Sequence, residues 1–230
     1  MKDRHRRFLG TYYPWIVVGL SFLTVGVAFG CRSSFAVFFV AVTQEFQWSR
    51  GVTAGVLLLG ALIWGLAAPF IGMLFDRFGP RVVIPAGSLI MALGFFVSST
   101  TQSILHFYIG MGILMSLGFA ALPMSTHGII ISNWFVHKRG RAMGIVASGM
   151  GVGVLVIAPL TQFIISELGW RHAYRMLALL LAVLIAPLNL LFQRHRPEDV
   201  GLSPDSGSLS PIAGTANSNL HKENGWTLGR

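Results

Sequence analysis

Six stretches of this sequence run without a charged residue for long enough to cross a lipid bilayer. Phe8 to Cys31 contains no Asp, Glu, Lys or Arg; after Arg32 the chain is again uncharged to Gln44. Gly51–Phe75, Val82–His137, Ala142–Ser166 and Met176–Gln193 are equally free of charge, and the polar run Ser98–Ser103 divides the longest of them. A helix needs about 20 apolar residues to cross the hydrocarbon layer. In lipid every backbone polar group must also be satisfied internally, which a helix does by itself. The pattern therefore predicts six transmembrane helices near 15–42, 51–74, 82–100, 107–132, 142–165 and 174–192, joined by short loops. The fold class is an all-α integral membrane bundle. Residues 1–14 are expected as an N-terminal tail, 15–192 as the bundle, and 193–230, rich in Ser, Pro, Gly and Asn, as a linker or tail.

Composition excludes the main alternatives. Apolar residues make up 53% of the 230, and charged residues only 11%, where a soluble domain carries about 25%. One cysteine, Cys31, forms no internal disulfide. The first apolar run is too long for a signal-peptide core and lacks a small-residue cleavage site. The net charge of +9 suggests nucleic acid until the charges are placed. Lys2, Arg4, Arg6, Arg7, Arg77, Arg81, Lys138, Arg139, Arg141, Arg194 and Arg196 fall on one side of the predicted bundle; only Arg50, Arg171 and Arg175 fall on the other. That asymmetry is the positive-inside pattern. It predicts a multi-pass protein of a plasma or inner membrane with both termini cytoplasmic, whose partner is the lipid bilayer and not nucleic acid. Tyr12, Tyr13, Trp15, Trp134 and Trp170 stand at predicted boundaries, as interfacial aromatic residues do.

An internal echo links the second and fifth spans. Arg50-Gly51-Val52-Thr53-Ala54-Gly55 and Arg139-Gly140-Arg141-Ala142-Met143-Gly144 share the pattern RGxxxG, and Ala68-Pro69 and Ala158-Pro159 follow at nearly the same interval. One span starts on each side, as a three-plus-three repeat of inverted topology requires. Gly51/Gly55, Gly140/Gly144 and Gly149/Gly153 are spaced to let helix backbones approach closely.

The loop after the second span reads Gly72-Met73-Leu74-Phe75-Asp76-Arg77-Phe78-Gly79-Pro80-Arg81. Gly79 and Pro80 suit a tight turn, and an aspartate at the membrane edge is costly unless it is paired or set at a helix end. This stretch resembles the G-x-L-x-D-R-x-G-R-R loop of the major facilitator superfamily, departing from it at Phe78 and Pro80. The resemblance implies a conformational gating loop made of Gly72, Asp76, Arg77, Gly79 and Arg81, in which the aspartate braces one six-helix bundle against another. Asn133–Gly144, Gly169-Trp170-Arg171 and Arg196–Leu202 are similar to the oxalate/formate-antiporter and monocarboxylate-porter branch. Two family marks are weak: Leu114 stands where an arginine is common, and Ala158-Pro159-Leu160-Thr161-Gln162 replaces a Gly-Pro-x-x-Gly-Gly ending. A full member has two such bundles with substrate between them. On this resemblance the chain supplies the N-terminal half of a secondary transporter, needs a C-terminal half or a second copy as partner, and is not expected to transport alone.

Arg32 is the one full charge inside a predicted span, about 25 Å along the helix from Trp15 at 1.5 Å per residue, in the outer half of the membrane. A guanidinium there either grips a small anionic substrate, such as a mono- or dicarboxylate, through paired hydrogen bonds, or snorkels outward. Phe35 shares its helical face. His127, beyond Pro123, either takes up a proton or is hydrogen-bonded locally. Trp64 is a further substrate-facing candidate beside its reading as packing. No cluster of His, Cys or carboxylates suggests a metal, and no cofactor is expected. An intramembrane enzyme would need a nucleophile with a base in reach; Ser148 and His127 are the one tempting pair. A homodimeric six-span carrier or channel is the other alternative.

Overall fold

The computed structural model describes residues 2–135 and 137–193, with side-chain surroundings described from Tyr13 onward. The linker expected from 193, including Arg196–Leu202, lies outside the described residues apart from Gln193. Among the described residues six helices are long and apolar enough to cross a membrane: span 1, Tyr13–Phe46; span 2, Arg50–Phe78; span 3, Pro80–Ser99; span 4, Ile104–Trp134; span 5, Arg139–Leu168; and span 6, Trp170–Phe192. All six correspond to the predicted stretches and run two to four residues further at most ends. Two of the starts are capped: the Ser49 hydroxyl accepts from Val52 N–H and the Ser103 hydroxyl from His106 N–H, so spans 2 and 4 start at a polar residue. The helix of span 1 itself starts at Lys2, so residues expected as a tail continue it.

Tyr13 Oη donates to the Phe192 carbonyl at 3.0 Å, which puts the start of span 1 and the end of span 6 at one end of the bundle. This is called the basal end below, and the opposite one the distal end. At the basal end Arg81 Nε donates to the Leu190 carbonyl at 2.8 Å, satisfying an oxygen that the last turn of span 6 leaves without a helical partner. At the distal end Glu45 accepts from Arg171 Nη1 at 2.7 Å and from the Trp170 indole N–H. Beneath this clamp the rings of Phe38 and Tyr174 stack at 3.7 Å.

Glycine sets the closest crossings. A Cβ on Gly30 would stand 2.5 Å from the Gly153 carbonyl oxygen, and one on Gly26 would stand 2.8 Å from that of Gly149. Spans 1 and 5 thus meet backbone to backbone through two Gly-xxx-Gly pairs. Spans 3 and 4 do the same: a Cβ on Gly94 would lie 2.8 Å from the Gly110 carbonyl oxygen, and one on Gly118 would lie 2.5 Å from that of Gly87. The other predicted pairs do not pack this way. Gly51, Gly140 and Gly144 face open space, and Gly55 meets only the Tyr108 side chain. Spacing alone identifies a groove of small residues but not whether a helix fills it.

Span 4 is interrupted. Its helix stops at Phe119, turns through Ala120–Leu122, and restarts at Met124 behind Pro123. Pro123 has no N–H to continue the ladder and disfavours helical backbone before it. Spans 2 and 5, the echo pair, are the least buried. Only 17% and 22% of their most apolar windows are covered, against 33% to 67% for the other four. Both begin at the arginine of the echo and both carry their proline inside the helix.

Candidate functional site at the membrane midplane

A cavity of about 370 Å³ lies between spans 2 and 4. Trp64 and Asp76 on span 2 belong to its wall, 12 residues apart, so it extends about 18 Å along the helix. Pro123, Ser125 and Thr126 supply the opposite wall from the restart of span 4. The break therefore turns two hydroxyls and the N-terminal end of the helix Met124–Trp134 toward a space at membrane depth. Such an end carries partial positive charge from its unpaired N–H groups.

Arg32 is not itself part of the cavity wall but lies against Trp64, the wall residue farthest from Asp76 along span 2. Its guanidinium carbon lies 5.4 Å from the ring centre of Trp64 and 4.7 Å from that of Phe119, within cation–π range. Trp64 and Phe119 occupy the midpoints of spans 2 and 4. Relative to the bundle, the guanidinium therefore lies level with the middle of spans 2 and 4, nearer the centre than the predicted outer-half position. Two causes combine. Span 1 extends to Phe46, four residues beyond the predicted end, and helical side chains lean back toward the N-terminus, here the basal end. Arg32 is half-buried, and among the described residues no carboxylate pairs with it and no hydrogen bond engages it.

The remaining candidates separate. Phe35 is buried after a turn at Ser34, its ring 6.5 Å from that of Phe107, and is not part of the cavity wall. Ser34 binds back to the Gly30 carbonyl at 2.9 Å and lies 3.2 Å from the Thr161 hydroxyl, at the one-residue interruption between Lys2–Ser33 and Phe35–Phe46, and Arg32 and Phe35 meet different rings on either side of it. His127 is fully buried, with neither ring nitrogen hydrogen-bonded, and it too is absent from the cavity wall. The expected local hydrogen bond is not formed. The exposed Ser148 hydroxyl binds the Ile145 carbonyl of its own helix at 2.7 Å, so it and His127 form no nucleophile–base pair.

Of the loop residues, Gly72 and Asp76 belong to the cavity wall at its basal end, with Asp76 exposed. Arg77 packs over the Phe78 ring at 5.3 Å. Gly79 takes φ +73°, a left-handed value that favours glycine, and its N–H returns to the Phe75 carbonyl at 2.9 Å. Arg81 turns away to span 6. The sequence reading missed Phe119 and Glu45. Phe119 is one of 17 phenylalanines and carries no local signal. Glu45 had one: it is the lone acidic residue between the first two spans.

A six-helix membrane bundle with a broken fourth helix and two uncovered helices defines a class, the half-bundle of a membrane transporter. The Major Facilitator Superfamily profile matches residues 21–227, and the chain belongs to that family. It is 29% identical over 190 residues to monocarboxylate transporter 13 of Rattus norvegicus, covering 83% of this chain and 44% of the relative. Monocarboxylate transporter 11 of Homo sapiens is 29% identical over 201 residues, covering 87% and 42%. Monocarboxylate transporter 2 of Homo sapiens is 29% identical over 169 residues, covering 74% and 35%. The chain thus spans less than half the length of these curated relatives.

Proposed function

We propose that this chain forms one wall of a secondary transporter that carries a small organic anion, a mono- or dicarboxylate, by alternating access. The observation that carries the reading is Arg32: a guanidinium at mid-depth, held by two aromatic faces, with its hydrogen-bond donors unused. A carboxylate entering the cavity from the basal end would meet the hydroxyls of Ser125 and Thr126 and the positive end of Met124–Trp134 before reaching the guanidinium fork. The names of the relatives point to the same substrate chemistry. The exposed faces of spans 2 and 5 would lie against a second six-helix bundle, and Asp76, at the open rim, would brace that bundle through the gating loop. The basic residues of the basal end make it the cytoplasmic face, with both termini there.

The test is uptake of labelled small carboxylates into vesicles containing the whole transporter. Arg32→Gln is expected to abolish uptake at unchanged expression, with Arg32→Lys retaining a small part because a single ammonium lacks the bidentate fork. Wild-type uptake by Arg32→Gln would reject the anion clamp. A second copy of this chain could cover the same faces of spans 2 and 5, and the mass of the detergent-solubilised particle separates the two assemblies.

A further inference from the structure

A second concavity, about 410 Å³, opens between spans 3 and 6 and shares no lining residue with the first. Its construction is specific. Ala92, Ala178 and Ala182 form the floor, and the large side chains of Leu89, Leu93 and Phe96 on one helix face those of Leu179 and Val183 on the other. Those five are 49% to 64% exposed, while Ala92 and Ala178 are almost covered. Alanine where two helices meet leaves a channel that a leucine would fill. The channel follows span 6 from residue 175 to 183, about 12 Å. It begins near the distal end and reaches the midplane, so it matches one leaflet of a hydrocarbon core about 30 Å thick.

The distal mouth of this apolar channel carries a charge. Arg175 is exposed and belongs to the channel wall. It lies five residues inside Trp170, about 7.5 Å along the helix, the depth from which a long basic side chain reaches the headgroup region. Among the described residues no carboxylate comes within ion-pairing distance of it. Glu45, at the same end, is already engaged by Arg171 and Trp170. An unpaired cation at the hydrocarbon edge needs a counter-charge, and a phosphodiester is both anionic and present at that depth.

We propose that this groove is a phospholipid site: one acyl chain lies on the alanine floor while the lipid phosphate pairs with the Arg175 guanidinium. An anionic glycerophospholipid fits best, because a choline head brings its own cation beside the phosphate. The proposal is independent of the transport reading, since it uses neither Arg32 nor the cavity between spans 2 and 4.

Native mass spectrometry of the purified protein with added phosphatidylglycerol tests it. The expected result is one retained lipid. Occupancy should fall at least fivefold in Arg175→Gln and in Ala182→Phe, which fills the floor, and persist in Arg175→Lys. Arg50→Gln removes an equal charge from the same end and is expected to change nothing. Equal retention by Arg175→Gln and wild type, or an equal loss in Arg50→Gln, overturns the proposal. Melting without added lipid checks that Ala182→Phe still folds; if it does not, Ala178→Val, a smaller filling of the same floor, replaces it. A second copy of the chain retained in the native spectrum in place of the lipid would mean that polypeptide covers the groove, and would also overturn the proposal.

Discussion

Gly30→Ala isolates the crossing of spans 1 and 5. The added Cβ would stand 2.5 Å from the Gly153 carbonyl oxygen and 2.7 Å from Ile157 Cδ1. The isoleucine methyl can rotate away, but the carbonyl belongs to a helix backbone and cannot. Restoring an ordinary contact of 3.4 Å means parting the helices by about 0.9 Å at that point, and dispersion between the two faces falls steeply over such a gap. Overpacking of this kind costs about 1–3 kcal/mol. At about 2–4 °C per kcal/mol for a chain of this length, the melting temperature in detergent should fall by about 2–12 °C. Gly19→Ala and Gly151→Ala are the controls, because nothing lies within 4 Å of either added Cβ. Both should hold or raise the midpoint, since alanine favours a helix over glycine. Gly30 also stands two residues before Arg32, so the same substitution should lower uptake by the whole transporter. A Gly30→Ala midpoint within 1 °C of the Gly19→Ala midpoint would refute the backbone contact.

Arg81→Ala should release the Leu190 carbonyl and cost about 0.5–1.5 kcal/mol, read as faster proteolysis near the end of span 6 with no change in substrate affinity. Asn189→Leu removes the 2.8 Å bond from Asn189 Nδ2 to the Thr24 hydroxyl. Such bonds contribute about 0.6 kcal/mol in membranes, so the midpoint should drop by no more than a few degrees. A Glu45→Gln protein should lose about 0.2–1 kcal/mol, because the ion pair with Arg171 is surface-exposed at 39% and 41%. Raising salt should weaken the wild type toward the variant, as thermal melts at two ionic strengths would record.

What the sequence made legible follows from how far each signal travels. Span number and order were readable because hydrophobicity is a property of each stretch alone, and lipid demands it of every helix. The Gly79 turn was readable because its backbone angle limits the residue choice locally. Neighbour relations were not. Gly149/Gly153 and Gly140/Gly144 have identical spacing, yet the first pair meets Gly26 and Gly30 and the second meets nothing. Arg32 and Phe35 share a face by helical spacing, yet Arg32 meets Trp64 and Phe119 while Phe35 meets Phe39 and Phe107. The aromatic seat of Arg32 comes from spans 2 and 4, and nothing near Arg32 in the chain announces it.

That seat bears on how a lone charge is tolerated at the midplane. An arginine at the centre of a membrane helix costs about 2.5–3.5 kcal/mol on insertion scales. A cation–π contact returns about 0.5–1 kcal/mol when exposed and about 2 kcal/mol when desolvated, so Trp64 and Phe119 together offset much of the cost for the half-buried Arg32. A carboxylate on a neighbouring helix would offset it as well, but it would also occupy the guanidinium N–H groups. Aromatic faces stabilise the charge and leave those donors open. On this reading Trp64→Leu should weaken carboxylate affinity and also lower expression, because the arginine loses half of its support. Arg32→Leu with Trp64→Leu should recover expression without recovering uptake. If Trp64→Leu alone left both expression and affinity at wild-type levels, the aromatic seat would have no part in holding the charge.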